Sequence, residues 1–259
     1  MAQYIEVEQA IPLTGLRVVL TPGVPGPWSE SAKGILHVKK IPYVKVRQII
    51  AAENPALRQW TAQETAPAFI YNDERPRSLW SDQLYLAERI APTPPLIPAR
   101  LDERAQMFGL ANELCGENGF GWARRLMLLH ESLSNPNLPE GGRKFSTFLG
   151  NKYGYAPEFA AGAPLRVAEI LEALARQLAA QRQRGSRYLI GDALTALDIY
   201  WACFAALIQP LPDDQCAMTS AFRSMYTCAE PTVMRAADPA LFAHRDFIYR
   251  EHLELPVDL

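Results

Sequence analysis

Cysteine and histidine are the residue types of this chain that most often carry redox or metal chemistry. The four cysteines form no C-x-x-C pair, and the four histidines are not clustered with them. Two of the cysteines, Cys115 and Cys203, lie in apolar segments with helical character. We therefore expect reduced, mostly buried thiols in a cytoplasmic protein, and no metal site. The cysteines are Cys115, Cys203, Cys216 and Cys228.

Ser29 is the next candidate, because its hydroxyl stands at a predicted helix start. The preceding residues 23–28 are rich in Gly and Pro, which predicts a loop. Apolar residues then recur at helical spacing through Val38. Serine at such a boundary is typical of an N-cap, whose side chain satisfies a free backbone N–H.

A second hydroxyl–carboxylate pair lies at Thr195 and Asp198. Thr195 stands three residues before Asp198, and a nearly continuous apolar run follows through Ile208. This spacing is typical of a capping box, in which each side chain bonds to the other residue's backbone. A helix that is apolar on all sides must be buried, so we expect this helix at the centre of the protein.

The first third of the chain predicts an α/β unit. Strand, helix, strand, strand with a hairpin turn at Asn72-Asp73, and helix follow one another, which is a thioredoxin-like order. The predicted bounds are 16–21, 29–38, 43–50, 66–71 and 79–90. A Pro-rich stretch at 92–98 then predicts a stiff linker.

Beyond the linker every predicted element is helical. Glycines 116, 119 and 121 interrupt a long apolar pattern over 101–133, and residues 141–155 predict a loop or a short helix. Pro164 is predicted to open a helix through Arg182, and Asp238-Pro239 a final helix ending near Leu253. We therefore expect an α/β domain at 1–92, a linker at 93–98 and an all-α domain at 99–259.

Composition excludes several classes of partner. The chain has 259 residues, 49% hydrophobic and 21% charged, with a formal net charge of −2. Such a balance gives no electrostatic reason to expect nucleic acid. No apolar run is long enough to span a membrane, and the acidic first ten residues do not resemble a signal peptide.

Gly191-Asp192, Thr195 and Asp198 ahead of a buried helix resemble the capping motif in the all-helical domain of glutathione transferases. The resemblance extends over about residues 16–253. It implies a thioredoxin-like N-terminal domain, an all-α bundle, glutathione as co-substrate, a small electrophile as second substrate, and a homodimer.

Ala66-Pro67 is the clearest part of the implied glutathione site. In that family the proline before the third strand is cis, and the residue before it pairs through its backbone with the cysteinyl part of glutathione. The alternative is an ordinary trans proline at a strand start.

The loop Gly26-Pro27-Trp28-Ser29 departs from the family pattern. Many members carry a nucleophile-activating Cys, Ser or Tyr at or before position 26, and here Gly26 stands there. Ser29 is then either the helix cap or the donor that favours the glutathione thiolate. Trp28, expected on the mobile side of the loop, is a candidate wall for an apolar electrophile.

Trp80-Ser81 aligns with the acidic residue and serine that bind the γ-glutamyl end of glutathione in the family. Trp80 replaces the acid, Ser81 and the helix N–H groups can hold the carboxylate, and Asp82 can pair with the ammonium. Ser78 is the competing serine, and a capped surface helix is the structural alternative.

The second substrate binds in this family between the domains, against the first long helices of the bundle. Five residues are candidates by position. The alternative is structural, with the Trp and Met in the core and the Arg and His on a solvated face. The candidates are Trp122, Arg125, Met127, His130 and Tyr153.

Two functions compete at this point. The first is an enzyme that conjugates or otherwise processes small electrophiles with glutathione. The second is a non-catalytic binding or scaffold protein of the same fold, which Gly26 and Trp80 favour. A thiol–disulfide oxidoreductase ranks third, because no cysteine stands at the helix start.

Overall fold

A three-stranded mixed sheet organises the first part of the chain. The computed structural model describes residues 3–259. Strand β1 (Leu16–Leu20) lies in the middle, parallel to β2 (Val44–Arg47) and antiparallel to β3 (Ala68–Tyr71). All three predicted strands are confirmed, each shorter than predicted. The hairpin after β3 is also present, since Phe69 and Arg77 exchange backbone hydrogen bonds at 2.9 Å.

Four helices cover the two faces of this sheet. They are α1 (Val7–Ala10), α2 (Pro27–Val38), α3 (Pro55–Thr61) and α4 (Trp80–Ile90). Side chains alternate between faces along a strand, so β1 directs Val18 into the main core and Val19 into a smaller one with Leu57 and Ile70. Residues 91–100 contain no helix or strand and lead into the helical part.

The helical part contains eight α-helices, which the sequence placed only in part. The break at the glycines is confirmed, because one helix ends at Cys115 and the next begins at Phe120. The helices are α5 (Leu101–Cys115), α6 (Phe120–Ser134), α7 (Glu140–Lys152), α8 (Pro157–Gln183), α9 (Ala196–Phe204), α10 (Ser220–Tyr226), α11 (Pro231–Ala236) and α12 (Pro239–His252).

Pro164 does not open a helix, and that prediction was wrong. Helix α8 begins at Pro157, and Pro164 lies inside it. Ala160 and Ala163, in the added turns, are buried in the core. Helices in proteins are stabilised mainly by such packing, which here outweighs the backbone hydrogen bond that proline cannot make.

Helix α9 is the buried centre of the structure, as predicted. All nine of its residues are buried. It packs against α2, α5 and α12, and the approach of α2 is close: a Cβ added at Gly34 would lie 3.0 Å from Cγ2 of Ile199. The α/β part and the helical part therefore share one continuous core.

The capping box at the start of α9 is present, and Asp198 accepts more hydrogen bonds than the capping box alone requires. Asp198 is fully buried, and its carboxylate accepts hydrogen bonds from the N–H and the hydroxyl of Thr195, each at 2.9 Å. It also accepts from the N–H of Leu189 at 2.8 Å and from Nε2 of the buried His244 at 2.9 Å. One carboxylate thus joins the loop before α9, the first turn of α9 and helix α12.

None of the helices in residues 3–259 has both the length and the apolar character needed to cross a membrane.

This network predicts unequal losses of stability. Thr195→Ala removes one hydroxyl and should lower the free energy of unfolding by about 1 kcal/mol. Asp198→Ala leaves several buried donors without an acceptor and should cost about 3 kcal/mol or more. Urea unfolding measures both.

Asp192→Ala is the matched control, because Asp192 is an exposed aspartate in the same loop. It should change the free energy of unfolding by less than about 0.5 kcal/mol. Equal midpoints for Asp198→Ala and Asp192→Ala would contradict the central role of the buried carboxylate.

Candidate functional site

The peptide bond between Ala66 and Pro67 is cis, as the resemblance implied. Pro67 is buried and Ala66 half-buried, directly before β3. The buried Gln83 donates from Nε2 to the carbonyl of Pro67 at 3.0 Å and to that of Arg77 at 3.2 Å. Gln83 was missed from sequence, since only the fold shows that this side chain of α4 faces the Pro67 turn.

The start of α4 presents free backbone donors beside that turn. Trp80, Ser81 and Asp82 are its first three residues, and the N-cap Leu79 supplies no side-chain acceptor. Ser81 is half-buried inside the first turn, whereas Ser78 lies outside the helix. The Asp82 carboxylate lies 3.3 Å from Nη2 of Arg75 at the surface. Binding roles for Ser81 and Asp82 stay predictions.

Trp80 is a packing residue between the two parts of the chain. Its ring lies 5.4 Å from that of Tyr200 in α9, at 82°, and 6.0 Å from that of Phe108 in α5. The Tyr200 hydroxyl also lies 3.5 Å from the Trp80 carbonyl. Trp80 therefore fixes α4 against the helical part.

Ser29 is not a helix cap, and that alternative was wrong. Helix α2 begins at Pro27, because proline is favoured in the first turn, and Gly26 is the N-cap. Ser29 is the third helical residue and is 8% exposed. Within residues 3–259 its hydroxyl has no hydrogen-bond partner. The hydroxyl is thus left free for a ligand.

Trp28 lies in the first turn of α2 and not in the loop where it was expected. Its indole N–H donates to the carbonyl of Cys115 at 2.9 Å. Its ring meets that of Phe204 edge-on, with centroids 4.9 Å apart. It is half-buried between α2 and the helical part, and its role as a wall stays a prediction.

Three of the five second-substrate candidates, Arg125, Trp122 and Tyr153, lie together, and Trp28 joins them. The Arg125 guanidinium carbon lies 4.5 Å from the ring centre of Trp28, 5.3 Å from that of Trp122 and 3.9 Å from that of Tyr153. Burial lowers the pKa of Arg125, and the nearby Tyr153 and Tyr226 partly offset this. Arg125 is half-buried, so the expectation of a solvated face was wrong for it.

The other two candidates lie apart from this cluster. His130 is exposed, as the structural alternative expected, and its Nδ1 lies 2.9 Å from the hydroxyl of Tyr155. Met127 is half-buried with its sulfur 3.7 Å from Nη1 of Arg124.

Solved structures with the same architecture exist. A glutathione S-transferase of Methylobacterium radiotolerans, in complex with glutathione sulfonate, is 17% identical, covers 92% of each chain and gives a TM-score of 0.60. A glutathione S-transferase domain-containing protein of Marinobacter aquaeolei is 17% identical over 91% of this chain and 98% of its own, with a TM-score of 0.62. A rice glutathione transferase in complex with glutathione is 16% identical over 94% and 93%, with a TM-score of 0.57.

This chain has the glutathione transferase fold. Comparison of the sequence with protein-family models gives no match, and neither does comparison with curated proteins. The fold class predicted from the sequence, a thioredoxin-like unit followed by a helical bundle, is confirmed.

Within this glutathione transferase fold, the start of α2 is in close contact with α6. A Cβ added at Gly121 would lie 2.5 Å from Cε1 of Phe204 and 2.7 Å from Cη2 of Trp28. Only glycine leaves room for both rings. Gly121 thus allows Trp28 to sit between α2 and the helical part.

Gly121→Ala should displace Trp28 and lower the free energy of unfolding by about 1–3 kcal/mol, because the core has no space for the methyl group. Intrinsic tryptophan fluorescence and urea unfolding measure the two effects. Gly109→Ala is the control, since a Cβ there meets open space inside α5. It should be neutral or stabilising. An unchanged spectrum and midpoint in Gly121→Ala would contradict the tight packing of Trp28.

Proposed function

We propose that the protein binds glutathione in the cleft between the first turn of α2, the Ala66–Pro67 backbone and the first turn of α4, and conjugates it through its sulfur to a small electrophile. The observation that carries this proposal is the Gln83 side chain. It holds the Pro67 turn against the start of α4, two segments that the family resemblance assigns to the same ligand.

Free polar groups at these segments fit glutathione. The N-caps of α2 and α4 have no side-chain acceptor, so backbone N–H groups of both first turns can receive a carboxylate or a thiolate. Nε2 of Gln63, in the loop that leads into Ala66, is buried without a partner in residues 3–259. The Ser29 hydroxyl is likewise free. These donors match an anionic, peptide-like ligand.

A non-catalytic binding protein of the same fold is the second candidate. It is favoured by Gly26, which offers no activating side chain, and by Trp80, which packs on Tyr200 instead of offering a carboxylate. Glutathione binding belongs to both candidates, and turnover belongs to the first alone.

Two further parts of the proposal concern assembly and compartment. Tyr85, which is exposed, stacks on Phe108 at 5.4 Å, and the nearby Leu79 is 63% exposed. We propose that two copies of the chain associate through this apolar surface of α4 and α5 to form a homodimer. A sedimentation mass equal to one chain would contradict this.

Four free, buried cysteines support a cytoplasmic location.

Calorimetric titration should show saturable glutathione binding at or below millimolar concentration. Gln83→Leu keeps the side-chain volume but loses both donated hydrogen bonds, and should weaken binding by about tenfold. Gln106→Leu is the control, because that glutamine is exposed on α5 and its side chain bonds to Gln177, away from the Pro67 turn. Absence of saturation in the unmodified protein would remove the proposal.

Turnover with a panel of electrophiles then separates the two candidates. Chromogenic aryl halides and unsaturated carbonyl compounds should give glutathione-dependent product with the enzyme and not with the binding protein. Saturable binding without any turnover would leave the binding protein as the function.

Ser29→Ala tests the catalytic role proposed for Ser29. A hydrogen bond to a charged sulfur is worth roughly 1.5–3 kcal/mol, so its loss should raise the pKa of the bound thiol by about one to two units. Turnover should fall at neutral pH and recover partly at higher pH, where the thiolate forms again. The measurement is the pH–rate profile of both proteins.

Stability provides the control for this variant. Because Ser29 is not the cap and its hydroxyl has no partner, Ser29→Ala should leave the urea midpoint nearly unchanged. Superimposable pH profiles would assign thiolate stabilisation to the backbone N–H groups of α2 instead.

A further inference from the structure

We propose that Arg125 binds a carboxylate carried by the second substrate, so that the electrophiles of this protein are small, apolar compounds with one anionic end. This inference rests on the proposed glutathione-dependent function and names the substrate class of the same cleft. Four observations support it, concerning the stacking, the pairing, the charge and the position of Arg125.

Arg125 lies among three aromatic rings. Trp28, Trp122 and Tyr153 surround the guanidinium with ring centres 3.9–5.3 Å from its central carbon. Stacking on aromatic rings uses the flat faces of a guanidinium, while its N–H donors point outward in the plane. A planar carboxylate is the group that this fork of donors fits best.

No group within residues 3–259 uses these donors. Three other arginines of the helical part are paired: Arg124 donates to the Leu207 carbonyl, Arg166 pairs with Glu113, and Arg223 donates to two carbonyls. Arg125 forms no such hydrogen bond or ion pair within residues 3–259, and burial lowers its pKa. A buried cation without a partner is unfavourable, so a bound anion would stabilise this site.

The surrounding charge is positive as well. The pKa of Lys152 is lowered by burial and, to a smaller degree, by the charge of Arg125, while Glu64 acts in the opposite sense. Burial raises the pKa of Tyr226 to about 12, so its hydroxyl stays protonated, and Arg125 lies close enough to oppose that rise. Arg125 and Lys152 are two cations against the one carboxylate of Glu64, and the Tyr226 phenol is neutral, so the net charge here favours an anion.

The position of Arg125 links this anion to the reacting end of the cleft. Trp28, which stacks on Arg125, is the residue before Ser29 in the first turn of α2. Trp122 and Tyr153 also line a cleft of about 580 Å³ between α6 and α8. Neither Arg125 nor Trp28 lines that cleft, so its rings reach Arg125 from the cleft wall. A carboxylate bound at Arg125 would lie next to Trp28, and therefore beside the first turn of α2 where the glutathione sulfur is proposed to bind.

The probes are 4-chloro-3-nitrobenzoate and 4-chloro-3-nitrobenzamide, which differ only in the charge at one end. In either reaction the glutathione thiolate forms a C–S bond at the carbon that carries chlorine. The C–Cl bond breaks, chloride leaves with the bonding electrons, and the thiol proton goes to solvent. The ratio of variant to unmodified enzyme with each probe cancels their different intrinsic reactivity.

Arg125→Met keeps a long side chain to pack among the rings and removes the charge. It should lower kcat/KM for the benzoate by about tenfold or more, and leave kcat/KM for the benzamide within about twofold. Arg125→Lys should keep part of the benzoate activity. Arg176→Met is the control for net charge, because Arg176 is exposed on α8, and it should affect neither probe. Equal losses with benzoate and benzamide would overturn the inference.

Binding to the unmodified protein supplies a test that no variant's folding can obscure. Quenching of tryptophan fluorescence by 3-nitrobenzoate should saturate at a concentration at least about tenfold lower than by 3-nitrobenzamide, with glutathione present. Equal affinities would overturn the inference, because Arg125 would then recognise no charge.

Glutathione titration of Arg125→Met separates this inference from the proposed function. Unchanged glutathione affinity together with lost benzoate affinity supports a carboxylate site for the second substrate. Weakened glutathione affinity with an unchanged preference for benzoate would overturn the inference, since Arg125 would then serve a carboxylate of glutathione. Benzoate binding without any glutathione binding would remove the proposed function while leaving an anion site at Arg125.

Discussion

The fully buried carboxylate of Asp198 is the interaction on which the rest of the structure depends. It accepts hydrogen bonds from the Thr195 N–H and hydroxyl, the Leu189 N–H and the His244 imidazole. A buried carboxylate is tolerated only when its lone pairs are satisfied, so the loop, α9 and α12 must all be in place together. The position of α9 is therefore tied to one charge.

Helix α9 in turn positions both halves of the candidate site. The ring of Phe204, at its end, packs against Trp28 of α2. The ring of Tyr200, in its middle, packs against Trp80 of α4. The first turns of α2 and α4, whose free N–H groups face the proposed glutathione cleft, are thus set by aromatic contacts with one helix. A shift of α9 would move both turns, which is why a folding motif far from the chemistry matters for the site.

Two residues at the starts of α4 and α2 contribute packing and free backbone, not polar side chains. Trp80 increases the contact between α4 and the helical part. Gly26 is an extended N-cap that leaves the α2 N–H groups uncovered. Across from Trp28, Arg125 brings positive charge close to the first turn of α2.

The sequence by itself determined whatever depends on neighbours along the chain. The capping box of Thr195 and Asp198, the glycine break after Cys115 and the Asp238 cap all follow from local backbone preferences, and each was predicted, whereas the cis proline before β3 was implied by the family resemblance. Local rules failed where packing outweighed them, as at Pro164 inside α8 and at the start of α2, two residues before Ser29. Only the tertiary structure decided that Gln83 reaches Pro67, that His244 completes the Asp198 network and that three aromatic rings surround Arg125. Gln83 and Pro67 are 16 positions apart in the chain, His244 and Asp198 46, and Arg125 and Trp28 97, and no local pattern specifies which distant side chains will share a buried space.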